Sequence, residues 1–119
     1  MRFHQQTNER LRLSEKPLSF TVYRAESVLA KAVGAMGRRG LPADTALVFQ
    51  FDRSRQRPVH MLGVRAPLRV WWVCDGVIER TERLPAWTGV GTAAADTVIE
   101  LPADAPSGAV GQRVTVVDG

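Results

Sequence analysis

The chain has 119 residues, a formal charge of +4, 45 % hydrophobic residues and a single cysteine. That length and apolar share describe one domain able to enclose a hydrophobic core unaided, and one cysteine excludes an internal disulfide framework. No apolar run is long enough for a membrane helix, and the opening MRFHQQTNERLRL lacks the apolar stretch of a secretory signal. A soluble cytoplasmic protein, a single domain over residues 1–119 with no membrane partner, is therefore expected. The charge is unevenly spread: residues 1–39 hold eight basic and three acidic side chains, residues 40–69 five and two, residues 70–119 three and seven. Such a split suits an anionic partner, or charge pairing between two halves of one fold.

Residues 1–10 are polar and aperiodic and read as a flexible N-terminal tail. LRL (11–13) alternates, and SFTVY (19–23) is a clearer strand. Val28, Leu29, Ala32 and Met36 then recur at helical spacing, which predicts one α-helix near residues 25–36. Gly37 suits its C-terminal end, Arg38 and Arg39 complement its dipole, and Pro42 prevents continuation. Gly34 within it costs about 1 kcal/mol relative to Ala and suits the close approach of a sheet.

Beyond the helix the pattern is of strands. ALVFQF (46–51) places Leu47, Phe49 and Phe51 on one face. DRSRQRP (52–58) reads as a polar connection, and VHMLGV (59–64) as a short strand. PLRVWWVC (67–74) is the strongest strand, with Leu68, Val70, Trp72 and Cys74 toward a core. Arg69, Trp71, Val73 and Asp75 line its other side, where Trp71 needs partial cover from the helix or a loop. Asp75-Gly76 predicts a type I′ hairpin turn into VIERTERL (77–84). PAWTGVGTAAADT (85–97) reads as a long loop, followed by strands VIEL (98–101) and RVTVV (113–117). The fold class is mainly β with some α: a single-domain β-sandwich or partly open barrel of about 7–9 short strands carrying one helix.

His4, His60 and Cys74 are too scattered for a structural zinc site, so no metal is expected. There is no Gly-x-Ser-x-Gly elbow, and Cys74 on the apolar face reads as a core residue rather than a nucleophile. GVGTAA (89–94) imitates a dinucleotide fingerprint but follows a Pro-Ala-Trp loop instead of a buried strand, so its glycines read as loop residues and no cofactor is expected. Arg53, Arg55 and Arg57 share one face if extended, and Arg65 and Arg69 prolong that patch toward phosphate contacts; no aromatic residue interleaves with them. Trp87, in LPAWTG, reads as a ring folded over the end of the sandwich, its alternative being a lid on a pocket. Glu100, between Ile99 and Leu101, is either outward-facing or a buried carboxylate needing a partner, for which Arg38 and Arg39 are candidates.

The segments GAMGRRGLPADTALVFQF, HMLGVRAPLRVWWVCDGVI and DTVIELPA, in this order, resemble the family called domain of unknown function 192, most closely its archaeal branch in the phrases HML and ALVF. The shared positions are Gly34, Met36 and Arg38; Leu47, Phe49 and Phe51; His60 and Met61; Asp75 and Gly76; Glu100, Leu101 and Pro102. Ala35, Gly63, Val64 and Asp104 depart from the family pattern. The resemblance implies a β-sandwich with a helix packed on it, and brings no established activity, substrate or cofactor.

The functional expectation is a ligand- or protein-binding module without catalysis, its surface formed where Arg38, His60, Met61, Trp87 and Glu100 converge. One alternative is an enzyme of unassigned type using His60 and Glu100 as an acid–base pair. Another is nucleic-acid binding through Arg53, Arg55 and Arg57, with Arg65 and Arg69.

Overall fold

Side chains alternate across a strand, so Trp71 and Trp72 leave opposite faces of LRVWWVC. In the computed structural model, which describes residues 3–5, 9–14, 16–25, 41 and 43–118, both indoles are fully buried. The described residues form nine strands: β1 (Phe3–Gln5), β2 (Glu9–Leu13), β3 (Lys16–Pro17), β4 (Thr21–Ala25), β5 (Thr45–His60), β6 (Leu68–Cys74), β7 (Val77–Leu84), β8 (Val90–Pro102) and β9 (Val114–Asp118). They make a six-stranded sheet, ordered β1-β4-β5-β8-β6-β7, and a three-stranded sheet, β3-β2-β9. β4 and β5 run parallel; every other pairing is antiparallel. The architecture is the expected β-sandwich and is not closed into a barrel. The helix expected near residues 25–36 falls outside the described residues, except that Ala25 closes β4.

One face of the large sheet supplies Val22, Ala46, Val48, Trp71, Val73, Ile78, Ile99 and Leu101 to a core shared with Leu11, Leu18, Phe20 and Val114. This is the interior of the sandwich. The segment after β8 completes it: the Trp71 indole N–H donates to the Ser107 carbonyl at 3.1 Å, and Ile78 exchanges backbone hydrogen bonds with Gly111 and Gln112. Trp71 is thus covered completely, by the small sheet and this loop. The opposite face supplies Leu47, Phe49, Leu68, Val70, Trp72, Leu84 and Val98 to a second core, with Met61, Val64 and Ala95 packed upon it.

That second core exists because β5 and β8 bend. Their register shifts between Gln50 and Arg55: β5 advances from Gln50 to Arg55 while β8 goes from Thr97 to Ala95. Such an irregularity turns a strand and increases its twist. Trp72 lies in register with Val98, and an unbent β8 would carry Gly91 about 23 Å from that position. Instead a Cβ on Gly91 would sit 2.8 Å from Trp72 Cη2. The ribbon formed by residues 55–60 of β5 and 90–95 of β8 therefore folds back over the sheet. The Trp72 indole N–H donates to the Arg57 carbonyl at 2.7 Å, and the Arg80 guanidinium stands 5.3 Å from the Trp72 ring centroid while Nη1 donates to the Thr92 carbonyl.

Several sequence expectations change here. DRSRQRP is not a connection but strand, and the first half of β8 occupies what reads as the long loop 85–97. The residues that disguise these strands are explained by the fold-back. Gly91, Ala93 and Ala95 face inward and are small because Trp72 and its neighbours lie directly beneath, while Gln56, Pro58, His60, Thr92 and Ala94 face solvent. VHMLGV splits: His60 ends β5, and Met61 begins a loop. Phe3–Gln5 and Glu9–Arg10, part of the expected tail, lie in strands, Phe3–Gln5 pairing with Tyr23–Ala25. The Asp75-Gly76 turn is as expected, with φ of 51° and 76°, both positive as a type I′ turn requires.

Gly91→Ala tests the fold-back. The added methyl meets the edge of a rigid, fully buried ring, so unfolding in urea is expected to show a loss of about 1–3 kcal/mol. An unchanged midpoint would mean the ribbon does not press on Trp72.

Candidate functional site

Glu100 sits on the second-core face of β8, in register with Leu47 of β5 and Val70 of β6. It is 9 % exposed, one of two polar residues buried among the described residues. An ionised carboxylate in an apolar layer is stable only with compensating polar contacts, which makes it a specifying feature of this face rather than packing material. Of the alternatives left open for it, the structure selects the buried one. Arg38 and Arg39, its candidate partners, lie outside the described residues.

The other candidates divide. Met61 is fully buried against Leu68 and Leu84, and its N–H donates to the Gly89 carbonyl at 2.9 Å. It is a core residue, and the expectation that it lines an accessible surface is corrected. His60 is exposed at the end of β5, where its Nδ1 accepts a 3.3 Å hydrogen bond from the Leu62 N–H. In the ladder between β5 and β8, His60 is in register with Val90 and Glu100 with Leu47.

Trp87 does not fold over the sandwich; it is 54 % exposed. It is the central residue of a three-residue turn, with φ 65° and a 2.7 Å hydrogen bond from the Thr88 N–H to the Ala86 carbonyl. A bulky side chain at positive φ in so tight a turn is a rare and strained arrangement. The Trp87 N–H donates to the Val64 carbonyl at 3.1 Å, tying this turn to the 61–67 loop. In that loop the Val64 N–H returns to the Met61 carbonyl, and Gly63 supplies the φ of 83° that the corner needs. Leu62 is left on the outside of the corner, 65 % exposed, and Val90, in register with His60, is 67 % exposed. His60, Leu62, Trp87 and Val90 therefore occupy one loop end. Leu62 and Val90 carry no sequence motif; the turn-forming Gly63 is the one local hint.

Residues 53–57 are extended, as sharing a face requires, with Arg55 in register with Ala95 and Arg57 with Ala93. Arg53 and Arg55 are exposed, and the Arg57 guanidinium lies 3.8 Å from the Phe51 ring centroid and donates to the Arg53 and Ala95 carbonyls. Burial first, then the Arg55 charge, lowers its pKa from the ordinary arginine value, opposed by Asp52 and Asp96. Arg65 belongs to the 61–67 loop, and Arg69 projects from the sandwich-interior face of β6, where its Nε is buried with no hydrogen-bond partner among the described residues. Cys74, expected in the core, is half-buried at the opposite end of β6 and its thiol donates to Ser54 Oγ at 3.2 Å.

Cys74, Asp75 and Asp96 bring one ligand atom each within 4.8 Å of one another, a grouping that counting cysteines and histidines cannot find. Asp96 is already used: Oδ2 accepts the Asp75 N–H at 3.0 Å and Oδ1 the Thr97 hydroxyl at 2.9 Å. This is the chemistry of a braced hairpin turn. Asp96→Ala removes the acceptor of two hydrogen bonds from that turn and should lower stability by about 1–2 kcal/mol, read as a lower midpoint in thermal unfolding, with the fold retained. An unchanged midpoint would remove the bracing role.

Comparison with known proteins supports the fold assignment. A crystal structure from Sinorhizobium meliloti 1021, of a protein provisionally described as a transcription regulator, shares 22 % identity with a TM-score of 0.81, covering 98 % of this chain and 96 % of that one. A protein of unknown function from Novosphingobium aromaticivorans DSM 12444 shares 16 % identity with a TM-score of 0.77, covering 89 % and 83 %. At such identities the likeness is one of fold. No curated protein matches the chain in sequence. The model of the DUF192 family, described as an uncharacterized ACR, matches residues 10–116, and the chain belongs to that family.

Proposed function

We propose that this domain is a binding module without catalysis of its own, acting in the cytoplasm, which recognises a ligand or partner surface through the loop end where His60, Leu62, Trp87 and Val90 emerge. One observation carries the reading. Three of the four exposed large apolar side chains among the described residues stand on two segments that hydrogen-bond to each other. Grouped exposed apolar side chains mark interaction sites, whereas scattered ones are ordinary. Tryptophan is also among the residues enriched at energetically dominant interface positions.

Nucleic-acid binding is the second reading. One solved structure of this fold carries the provisional description of a transcription regulator, and Arg53 and Arg55 are exposed. The Arg57 guanidinium is engaged by the Arg53 and Ala95 carbonyls and the Arg69 Nε is buried, which leaves fewer donors to meet phosphates.

Amide shifts on titration with anilinonaphthalenesulfonate, an apolar anion, discriminate these readings. The expected result is movement of residues 60–64 and 86–91, abolished by Leu62→Ser. Shifts centred elsewhere, or none, would reject the loop end. Low-salt retention of duplex DNA on a filter, lost on Arg53→Ala with Arg55→Ala, would instead favour the second reading.

A further inference from the structure

We infer that the partner at this loop end is an anionic phospholipid surface, into which Leu62, Trp87 and Val90 insert. The inference rests on the recognition reading above and names its partner. Three observations lead to it: charge, area and backbone strain.

Charge comes first. Residues 60–67 and 85–92, the two segments that build this end, carry His60 and Arg65 and no carboxylate. Arg65 is exposed, so the apolar tip has a cation beside it that no carboxylate within these segments offsets. The complementary occupant is anionic and apolar together. A bilayer containing acidic lipids has that composition: headgroups attract arginine, and the zone beneath accepts the indole and aliphatic groups.

Area comes second. Three partly exposed side chains of this size offer on the order of 300–400 Å² of apolar surface, less than the apolar share, a little over half, of the roughly 800 Å² per partner of a specific protein–protein interface. Two of them stand at turn corners, Leu62 beside Gly63 and Trp87 at the centre of its own turn. Protruding corners suit a deformable medium that closes around each side chain. They suit a rigid partner only if it holds matching pockets. Insertion of so few side chains gives weak, reversible attachment, far from that of a spanning helix.

Strain comes third. Trp87 holds φ 65° although glycine would adopt it freely, and the tight turn that imposes it directs a large apolar ring outward. Folding alone would be served better by a small flexible residue there. A strained residue whose side chain is not used by the core is explained by what it contacts outside. No helix among the described residues is long and apolar enough to cross a membrane. A search for spanning segments cannot detect a surface built from two loops distant in sequence, which is why no membrane partner is expected from the sequence.

Co-sedimentation of the full chain with vesicles tests the inference. Vesicles of phosphatidylcholine with phosphatidylglycerol are expected to pull down the protein at low salt, and phosphatidylcholine alone to leave it in solution. Trp87→Gly and Leu62→Ser should each weaken partition about tenfold, because each removes most of one large apolar insertion. Val110→Ser, which alters the fourth exposed apolar residue, should bind like the wild type. Raising salt should weaken binding. Trp87→Gly should also keep or raise the melting temperature, which separates lost binding from lost folding. Absence of sedimentation with the phosphatidylglycerol-containing vesicles, equal sedimentation with phosphatidylcholine alone, or Trp87→Gly binding as well as wild type, would overturn the inference, as would Trp87-dependent dimerisation in sedimentation velocity. If vesicles fail while the dye still shifts residues 60–64 and 86–91, the lipid falls and the recognition surface stands. If both fail, both readings fall.

Discussion

Two adjacent tryptophans in one strand impose a demand that the rest of this molecule satisfies. Alternation sends Trp71 and Trp72 to opposite faces of β6, and each indole has a large apolar surface and one N–H needing an acceptor. Both faces of the central sheet must therefore be covered, and each cover must present a carbonyl at the right place. On one face the three-stranded sheet and the Ser107 carbonyl do this. On the other, the folded-back ribbon and the Arg57 carbonyl do it. A conventional sandwich needs one such cover; this strand needs two, and the bend in β5 and β8 supplies the second.

The same bend positions the candidate site. Because the ribbon returns across the sheet, its tip at His60 and Val90 meets the end of β6 and β7, where Met61 seals the core against Leu68 and Leu84. Buried Met61 anchors a loop whose next residue, Leu62, is exposed, and the Gly89 and Val64 carbonyls bind the two loops into one unit. Rigid support beneath and exposed apolar side chains above are one construction. The strain at Trp87 is tolerable because the turn is hydrogen-bonded on both sides and its neighbours belong to strands that the two cores hold in place.

Glu100 poses a separate problem. It occupies the second-core face beside Leu47 and Val70, where a leucine would pack more simply. A carboxylate there makes the chemistry of that face specific, since its compensation must be met by polar groups in defined places. The surface read from the sequence joined it to His60, which shares the family motifs, and to Trp87. Shared motif membership does not require shared location: one residue serves the interior of the sheet and the others its loop end.

How much was legible follows from the range of each interaction. Period-two patterning in LVFQF, LRVWW and VIEL, and the paired positive-φ preference of Asp75-Gly76, are local properties, so the sequence alone determined the β class, the strongest strands and the hairpin. Strands 52–58 and 90–97 were hidden because arginines, glycines and alanines carry no strand pattern of their own; they are ordered by pairing with each other and by the size limit that Trp72 imposes. The buried cysteine and the covering role of Trp87 misled for one reason. Each depended on where a side chain turns once a distant segment has arrived: Ser54 beside Cys74, Val64 beside Trp87. Composition and periodicity decided that this chain folds as a β-sandwich. Only the tertiary structure decided which residues remain outside it, because exposure is a property of the packed whole and not of any segment.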